Sequence, residues 1–190
     1  MGLGIAPLTG AVARPVVVAE SVAARRRRPR LLREALLGAA VVLVLHLFFV
    51  QISVVRGHSM EPCLHDGDRL VIDRLACSLS GIDRFDVVVL RNPRDQTVDY
   101  VKRVIGRPGD HVRLVDGDLI VNGERVREFF GPIHDDATTR EVVVPAGSLW
   151  VLGDNRPVSC DSREFGLVDI DLVRGTVRAR FWPPDRLTLW

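Results

Sequence analysis

Two tight-turn signals lie close together in the sequence VRLVDGDLIVNG, which covers residues 112–123. Asp116-Gly117 and Asn122-Gly123 are dipeptides that favour two-residue hairpin turns, because both positions of such a turn need a positive φ angle. The segments beside these turns are short and rich in Val, Ile and Leu, as strands are. The stretch therefore predicts consecutive antiparallel strands.

The same pattern continues on both sides of this stretch. After residue 55, short β-branched runs alternate with turn residues, and no long segment with helical periodicity occurs. The further runs with strand character are 69–73, 86–90, 99–105, 141–144, 148–152 and 173–181. Closely spaced strands with hairpin turns favour an antiparallel, mainly β domain with partial barrel character.

An apolar stretch without charged residues precedes the predicted strands, from residue 35 to residue 55. A helix of about 21 residues spans roughly 31 Å, which matches the hydrocarbon core of a bilayer. The end of the stretch, Gln51-Ile52-Ser53-Val54-Val55, is a poor match to the small-residue cleavage site of a secretory signal. The sequence therefore predicts one uncleaved transmembrane anchor helix over residues 31–55.

Positive charge is concentrated just before this helix, at Arg25 to Arg28, Arg30 and Arg33. Because basic residues mark the cytoplasmic side of a membrane helix, we expect a single-pass protein with its N-terminus in the cytoplasm. Residues 1–30 are then a disordered basic tail, and residues 56–190 are an extracytoplasmic β domain. The net charge of +2 at pH 7 is too small to indicate nucleic-acid binding.

The three cysteines, Cys63, Cys77 and Cys160, are an odd number and lack the spacing of a metal site. Outside the cytoplasm two of them can form a disulfide bond, but small buried thiols are the commoner case. The sequence leaves their oxidation state open. We expect neither a metal ion nor a cofactor.

Ser59 and Lys102 are the first two candidate catalytic residues. A serine hydroxyl becomes a good nucleophile only when a neighbouring base takes its proton. Strand periodicity places Lys102 on one face with Tyr100 and other apolar neighbours, which would desolvate it and lower its pKa. A fall of about two pH units from the usual value near 10.4 leaves a useful neutral fraction at neutral pH. Taken singly, a loop serine and a solvated lysine are the commoner interpretations.

A third polar segment, residues 153–166, follows an apolar run. Turn chemistry explains its first residues, including Asp154. Asp161 and Arg163 stand two positions apart, on one side of an extended chain, where they can form an ion pair. Ser159 offers a hydroxyl that can orient a neutral lysine amine.

Four stretches resemble, in order, the signature of the bacterial type I signal peptidases, which are Ser-Lys serine proteases of family S26. They are Ser59-Met60-x-Pro62-x-Leu64, Gly67-Asp68-Arg69-Leu70-Val71, residues 100–106 with Pro108-Gly109-Asp110, and residues 153–166. The resemblance implies a signal-peptidase/LexA-like β domain behind a membrane helix. It also implies a membrane-bound serine endopeptidase that removes N-terminal signal peptides from secreted preproteins after small residues.

By that resemblance, Ser59 is the nucleophile and Lys102 is the general base. Gly57 stands where some members carry a hydroxyl residue that donates to the oxyanion. Main-chain donors, chiefly the Ser59 N–H, would take over that role here, and one such donor is worth about 10²–10³ in rate.

Supporting roles for five more residues follow from the same resemblance. Ser159 is expected to hydrogen-bond the lysine amine and orient it. Ion pairs of Arg103 with Asp154 and of Asp161 with Arg163 are expected to brace the site.

The resemblance places the protein in the bacterial plasma membrane, in contact with lipid and near the secretion translocon. Three alternatives remain open. The self-cleaving repressors related to LexA share the Ser-Lys chemistry, but they are soluble and carry a DNA-binding module. A specialised peptidase of the same superfamily would process a single substrate. A catalytically silent, membrane-anchored binding module would keep the fold without the reaction.

Overall fold

The computed structural model describes the backbone of residues 19–75 and 81–190, and their side chains except those of residues 19–29 and 45–48. Most of the predicted tail and Cys77 lie outside the described residues. The chain divides into two units, residues 1–45 and 46–190.

A single long helix, α1 (Ala19–Phe49), accounts for the described part of the first unit and extends into the second. It begins inside the stretch that the sequence analysis assigned to the tail. It ends six residues before the predicted end, because residues 50–54 are β-branched in three of five positions and pair with a neighbouring strand. No helix among the described residues combines the length and the hydropathy of a membrane span.

The second unit contains a curled antiparallel sheet of eight strands. They are β1 (Val50–Val54), β2 (Arg69–Asp73), β3 (Val87–Arg91), β4 (Asp99–Gly106), β9 (Ser148–Leu152), β10 (Val168–Asp169), β11 (Val173–Trp182) and β12 (Thr188–Leu189). Their order is β1-β2-β11-β3-β4-β9-β10, and β12 pairs with β11. The long strand β11 therefore lies between β2 and β3 and connects the pair β1-β2 to the strands β3, β4, β9 and β10.

A smaller antiparallel sheet is inserted between β4 and β9. It consists of β5 (His111–Val115), β6 (Asp118–Val121), β7 (Glu124–Arg125) and β8 (Val142–Val143), in the order β7-β6-β5-β8. Asp116 and Gly117 have φ angles of 49° and 81°, and Asn122 and Gly123 have φ angles of 54° and 83°. Both predicted hairpin turns are thus present, and the mainly β prediction is confirmed.

The apolar core of the large sheet supports the loop between β1 and β2. Its buried members include Val55, Met60, Leu64, Leu70 and Ile72. Burying an aliphatic side chain of this size stabilises the fold by about 1.5–3 kcal/mol. Burial of Val55, Met60 and Leu64 therefore anchors the β1–β2 loop to the core.

Candidate active site

Ser59 lies in the loop between β1 and β2, on a turn that is fixed from both sides. Met60 and Leu64 are buried in the core, and the Leu64 N–H donates to the Met60 carbonyl at 2.7 Å. Gly57 has a φ angle of 90°, in the left-handed region that favours glycine, and its N–H donates to Asp66 Oδ1 at 2.8 Å. The serine side chain stays partly exposed while its backbone is held in place.

Lys102 lies in the middle of β4 and is only 3% exposed. Its Nζ lies 2.8 Å from Ser59 Oγ and 5.1 Å from the centroid of the Tyr100 ring. Burial lowers the pKa of the Lys102 amine from 10.5 to about 8, although the negative charge of Asp161 opposes the change. It is also the only lysine in the sequence. The geometry thus joins a hydroxyl to an amine that is half neutral near pH 8.

A cleft of about 440 Å³ opens beside this pair. One wall is formed by residues 53–60 and the other by residues 99–102, while Val158 and Cys160 close one side. Residues 53 and 54 of the first wall belong to β1 and residues 99–102 of the second wall belong to β4, whereas residues 57–60 form the turn that holds Ser59. A cleft with such walls can accept a peptide in extended conformation, with a carbonyl group next to Ser59.

Arg103 and Asp154 form a buried, bidentate ion pair beside Ser59 and Lys102. The two hydrogen bonds, Nε to Oδ1 and Nη2 to Oδ2, measure 2.8 Å and 2.6 Å. The side chains are 2% and 1% exposed, and the Phe130 ring lies 4.0 Å from the guanidinium carbon. Since such a fork-to-fork pair fixes both distance and angle, it ties β4 to the segment that follows β9.

Asp161 and Arg163 form a second ion pair on the same segment. Asp161 accepts hydrogen bonds from Arg163 Nε at 2.8 Å and from Arg163 Nη2 at 2.9 Å. The Asp161 carboxylate also accepts from the Gly153 N–H at 3.1 Å and caps the short helix α2 (Ser162–Phe165). The pair therefore holds the two ends of the segment together.

Ser159 is buried close to Gly153, and its hydroxyl has no hydrogen-bond partner among the described residues. A Cβ on Gly153 would lie 2.2 Å from Ser159 Oγ and 2.4 Å from the Ser59 carbonyl oxygen. Glycine is needed here because three chain segments meet at this point. The lysine amine bonds to Ser59 in this arrangement, and the orienting role of Ser159 stays a prediction.

A segment without a sequence signal contacts Asp154, Arg156 and Arg163, and we call it the bracing segment (residues 128–135). Its Glu128 forms a buried ion pair with Arg156. Burial raises the pKa of the Glu128 carboxyl, and the positive charge of Arg156 opposes this change. Arg156 in turn donates from Nε to the Gly153 carbonyl at 3.1 Å.

The rest of the bracing segment contacts the same region through backbone and side-chain bonds. The Ile133 N–H donates to the Asp154 carbonyl at 2.8 Å, and Asp135 accepts from Arg163 Nη1 at 2.6 Å. The partners in the Arg163 and Asp135 pair are 28 residues apart in sequence. No local pattern signals a contact between residues so far apart, so the sequence alone offered no means of finding it.

The remaining titratable groups near the cleft do not form a metal site. Among the described residues, no group of three His, Cys, Asp or Glu side chains is placed to bind a metal ion. Cys63 and Cys160 are free thiols, and burial raises the pKa of each. His58, next to Ser59, directs Nδ1 to Glu61 at 2.9 Å, and this hydrogen bond raises the pKa of His58.

Comparison with known proteins connects the chain to a family. A family model described as "Signal peptidase, peptidase S26" matches residues 28–182. The signal peptidase I of Bacillus caldolyticus is 40% identical over 160 residues, covering 77% of this chain and 87% of that protein. The signal peptidase IB of Staphylococcus aureus strain Mu50 is 36% identical over 161 residues, covering 75% of this chain and 83% of that protein.

A solved structure of a signal peptidase I from Enterococcus faecalis V583 is also similar. It is 34% identical and covers 50% of this chain and 95% of that chain, with a TM-score of 0.44.

These matches define the class of protein as a peptidase, and hence a hydrolase. The chain belongs to the signal peptidase family, peptidase S26. The resemblance drawn from the four sequence stretches is thereby confirmed.

Proposed function

We propose that this protein removes N-terminal signal peptides from secreted preproteins, with Ser59 as nucleophile and Lys102 as general base. The distance of 2.8 Å between Ser59 Oγ and the Nζ of a 97%-buried lysine carries the proposal. Relatives named signal peptidase I and IB support the choice of substrate. The open cleft beside the pair supports an extended peptide as the substrate form.

The reaction is an acyl transfer that needs only one proton acceptor. Neutral Lys102 takes the proton from Ser59 as its oxygen attacks the carbonyl carbon before the scissile bond. The lysine then gives this proton to the leaving amine. In the second half of the reaction, the neutral lysine takes a proton from water as it attacks the acyl-enzyme and gives that proton to the departing Ser59 oxygen. Because the pKa of Lys102 is about 8, the amine can serve in both directions near neutral pH.

The oxyanion that forms during attack needs a hydrogen-bond donor. The Gly57 N–H already donates to Asp66. The Ser59 N–H has no acceptor among the residues that the structure describes, so it is available to the substrate carbonyl. We assign the Ser59 N–H this role, and removing one such donor typically costs about 10²–10³ in rate.

Ser159 is assigned the task of orienting the neutral lysine amine. Its hydroxyl is buried and lacks a partner in the described part of the chain. Leaving a buried hydroxyl unpaired costs about 1–3 kcal/mol, which favours a rotation that brings it to a nearby donor or acceptor. The ion pairs of Arg103 with Asp154 and of Asp161 with Arg163 keep the surrounding segments in place.

We further propose that α1 anchors the protein in the bacterial plasma membrane, with the N-terminus in the cytoplasm and residues 56–190 outside, near the translocon. The apolar side chains of α1 at positions such as Leu31, Leu36 and Val42 are exposed in the structure. The arginines at positions 25–33 support this orientation. An anchor of this kind raises the effective concentration of a membrane-bound preprotein around the site.

Cleavage of a secretory precursor by full-length protein in lipid tests the proposed function. Wild type is compared with Ser59→Ala and Lys102→Met, and the new N-terminus is read by mass spectrometry. Ser148→Ala is the matched control, because Ser148 lies on β9 outside the cleft. We expect cleavage after a small residue by wild type and by the control, and none by the two site variants.

Other outcomes favour the alternatives. Cleavage by Ser59→Ala at the wild-type rate would contradict the assigned nucleophile. Cleavage of one precursor among many would favour a specialised processing peptidase. No cleavage of any precursor, together with no labelling of Ser59 by a serine-directed acylating reagent, would favour a silent binding module.

A further inference from the structure

Arg56 is an exposed charged residue on the cleft wall, three positions before Ser59. It lines the cleft together with residues 57–60. No hydrogen bond or ion pair connects its guanidinium to any residue that the structure describes. An exposed guanidinium without a partner has five N–H donors available for a ligand.

The backbone around Arg56 is fixed even though its side chain is free. The preceding Val55 is buried, and its N–H donates to the Asp68 carbonyl at 2.8 Å. The Val55 carbonyl accepts from the Gly67 N–H at 3.0 Å. Because successive side chains of an extended segment point to opposite sides, Val55 enters the core and Arg56 faces outward.

The other charged groups that line the cleft are already compensated or buried. Asp99 lies 3.5 Å from Arg174, and the neighbouring His58 contacts Glu61 at 2.9 Å. Lys102 is buried and bonded to the serine hydroxyl. The exposed, unpaired charge that lines the cleft is therefore positive and belongs to Arg56.

We propose that Arg56 is a specificity-determining residue that favours precursors with an Asp or Glu side chain near the scissile bond and disfavours Lys or Arg there. This inference rests on the proposed function, since it requires a peptide to occupy the cleft. A carboxylate matches the planar guanidinium fork, whereas a cationic side chain is repelled by it. The discrimination thus combines attraction with repulsion.

The test uses one precursor in three charge forms at each of three positions, and the full-length protein in neutral lipid. The precursor carries Asp, Asn or Arg at the second residue before the cut, or at the first or second residue after it. At low salt and at one of these positions, we expect kcat/KM to be about three-fold higher for the Asp precursor than for the Asn precursor, which is the size of effect that an exposed ion pair gives. The Arg precursor should have a lower kcat/KM than the Asn precursor. The preference should fade at high salt, because screening weakens exposed charge pairs.

Two substitutions and one control assign the effect to Arg56. Arg56→Gln should make the three precursors equal, and Arg56→Glu should reverse their order. Arg113→Gln is the matched control, because Arg113 is an exposed arginine on β5 and does not line the cleft. It should leave the wild-type order unchanged.

Failure of this inference is distinguishable from failure of the proposed function. If wild type cuts all precursors at equal rates at every position, or if Arg56→Gln keeps the preference, Arg56 has no such role while the peptidase assignment stands. If Ser59→Ala cuts the same precursors as wild type, the proposed site itself is wrong.

Discussion

Replacing Lys102 with Met should stabilise the folded protein at neutral pH while it abolishes cleavage. Lys102 is 3% exposed, and its amine has no carboxylate in hydrogen-bond contact among the described residues. At pH 7 most of the folded protein therefore carries a buried positive charge that the unfolded chain exposes to water. A methionine of similar length fills the same space without that cost.

The size of the effect follows from the pKa of Lys102. A fall from 10.5 to about 8 is worth about 3 kcal/mol, at about 1.4 kcal/mol per pH unit. Between pH 8 and 10.5 the unfolded chain binds more protons than the folded one, so the wild type gains stability as pH rises through this window. Below pH 8 both states are protonated and the full cost is present.

Loss of the hydrogen bond to Ser59 opposes this gain by about 1 kcal/mol, because the partly exposed serine hydroxyl can bond to water instead. We therefore expect Lys102→Met to gain about 2 kcal/mol at pH 7 and to lose this advantage by pH 10.5. In a domain of this size such a gain raises the Tm by about 4–8 °C.

The assay is thermal unfolding of the full-length protein in detergent at pH 7 and at pH 10.5. Lys102→Arg is the matched control, because arginine keeps its charge in the same buried position and should lower the Tm at both pH values. A Lys102→Met variant less stable than wild type at pH 7, or equally shifted at both pH values, would refute the assumption that the buried charge is costly.

Four further predictions concern the reaction and the bracing contacts. The value of kcat/KM should rise with pH and reach half its maximum near pH 8, because only neutral Lys102 accepts a proton. A pH profile that is flat from pH 6 to pH 9 would contradict this prediction. Protein labelled with ¹³C at lysine Cε should show one lysine signal that titrates near the same pH, and a titration above pH 10 would exclude the lysine as base. Glu128→Gln leaves a buried arginine without its counter-charge and should lower the free energy of unfolding by about 3–5 kcal/mol, measured by thermal unfolding. The control Asp118→Asn, at a more exposed ion pair, should lower it by less than about 1 kcal/mol. Equal losses of stability would argue against the buried pair. Gly153→Ala should lower kcat at least 100-fold while precursor binding persists, because the added methyl group meets the Ser59 carbonyl. Unchanged kcat in a precursor assay would show that residues 153–166 shift to accommodate the methyl group.

Local features of the chain were predictable where the conformation depends only on a few neighbouring residues. The Asp116-Gly117 and Asn122-Gly123 hairpins formed as expected, because their φ angles depend on two residues each. The predicted runs at 69–73 and 148–152 coincide with β2 and β9. The end of α1 was less predictable, since residues 50–54 become a strand only when β2 is available as a partner.

The sequence by itself determined the mainly β class, the tight turns and, through motif order, the choice of Ser59 and Lys102 as candidates. Only the tertiary structure decided that these residues, 43 positions apart, lie 2.8 Å from each other. It also decided the pKa of the lysine and the ion pairs of Glu128 with Arg156 and of Asp135 with Arg163. The reason is that burial and charge pairing depend on the packing of distant strands, whereas periodicity along the chain records only which face a side chain takes.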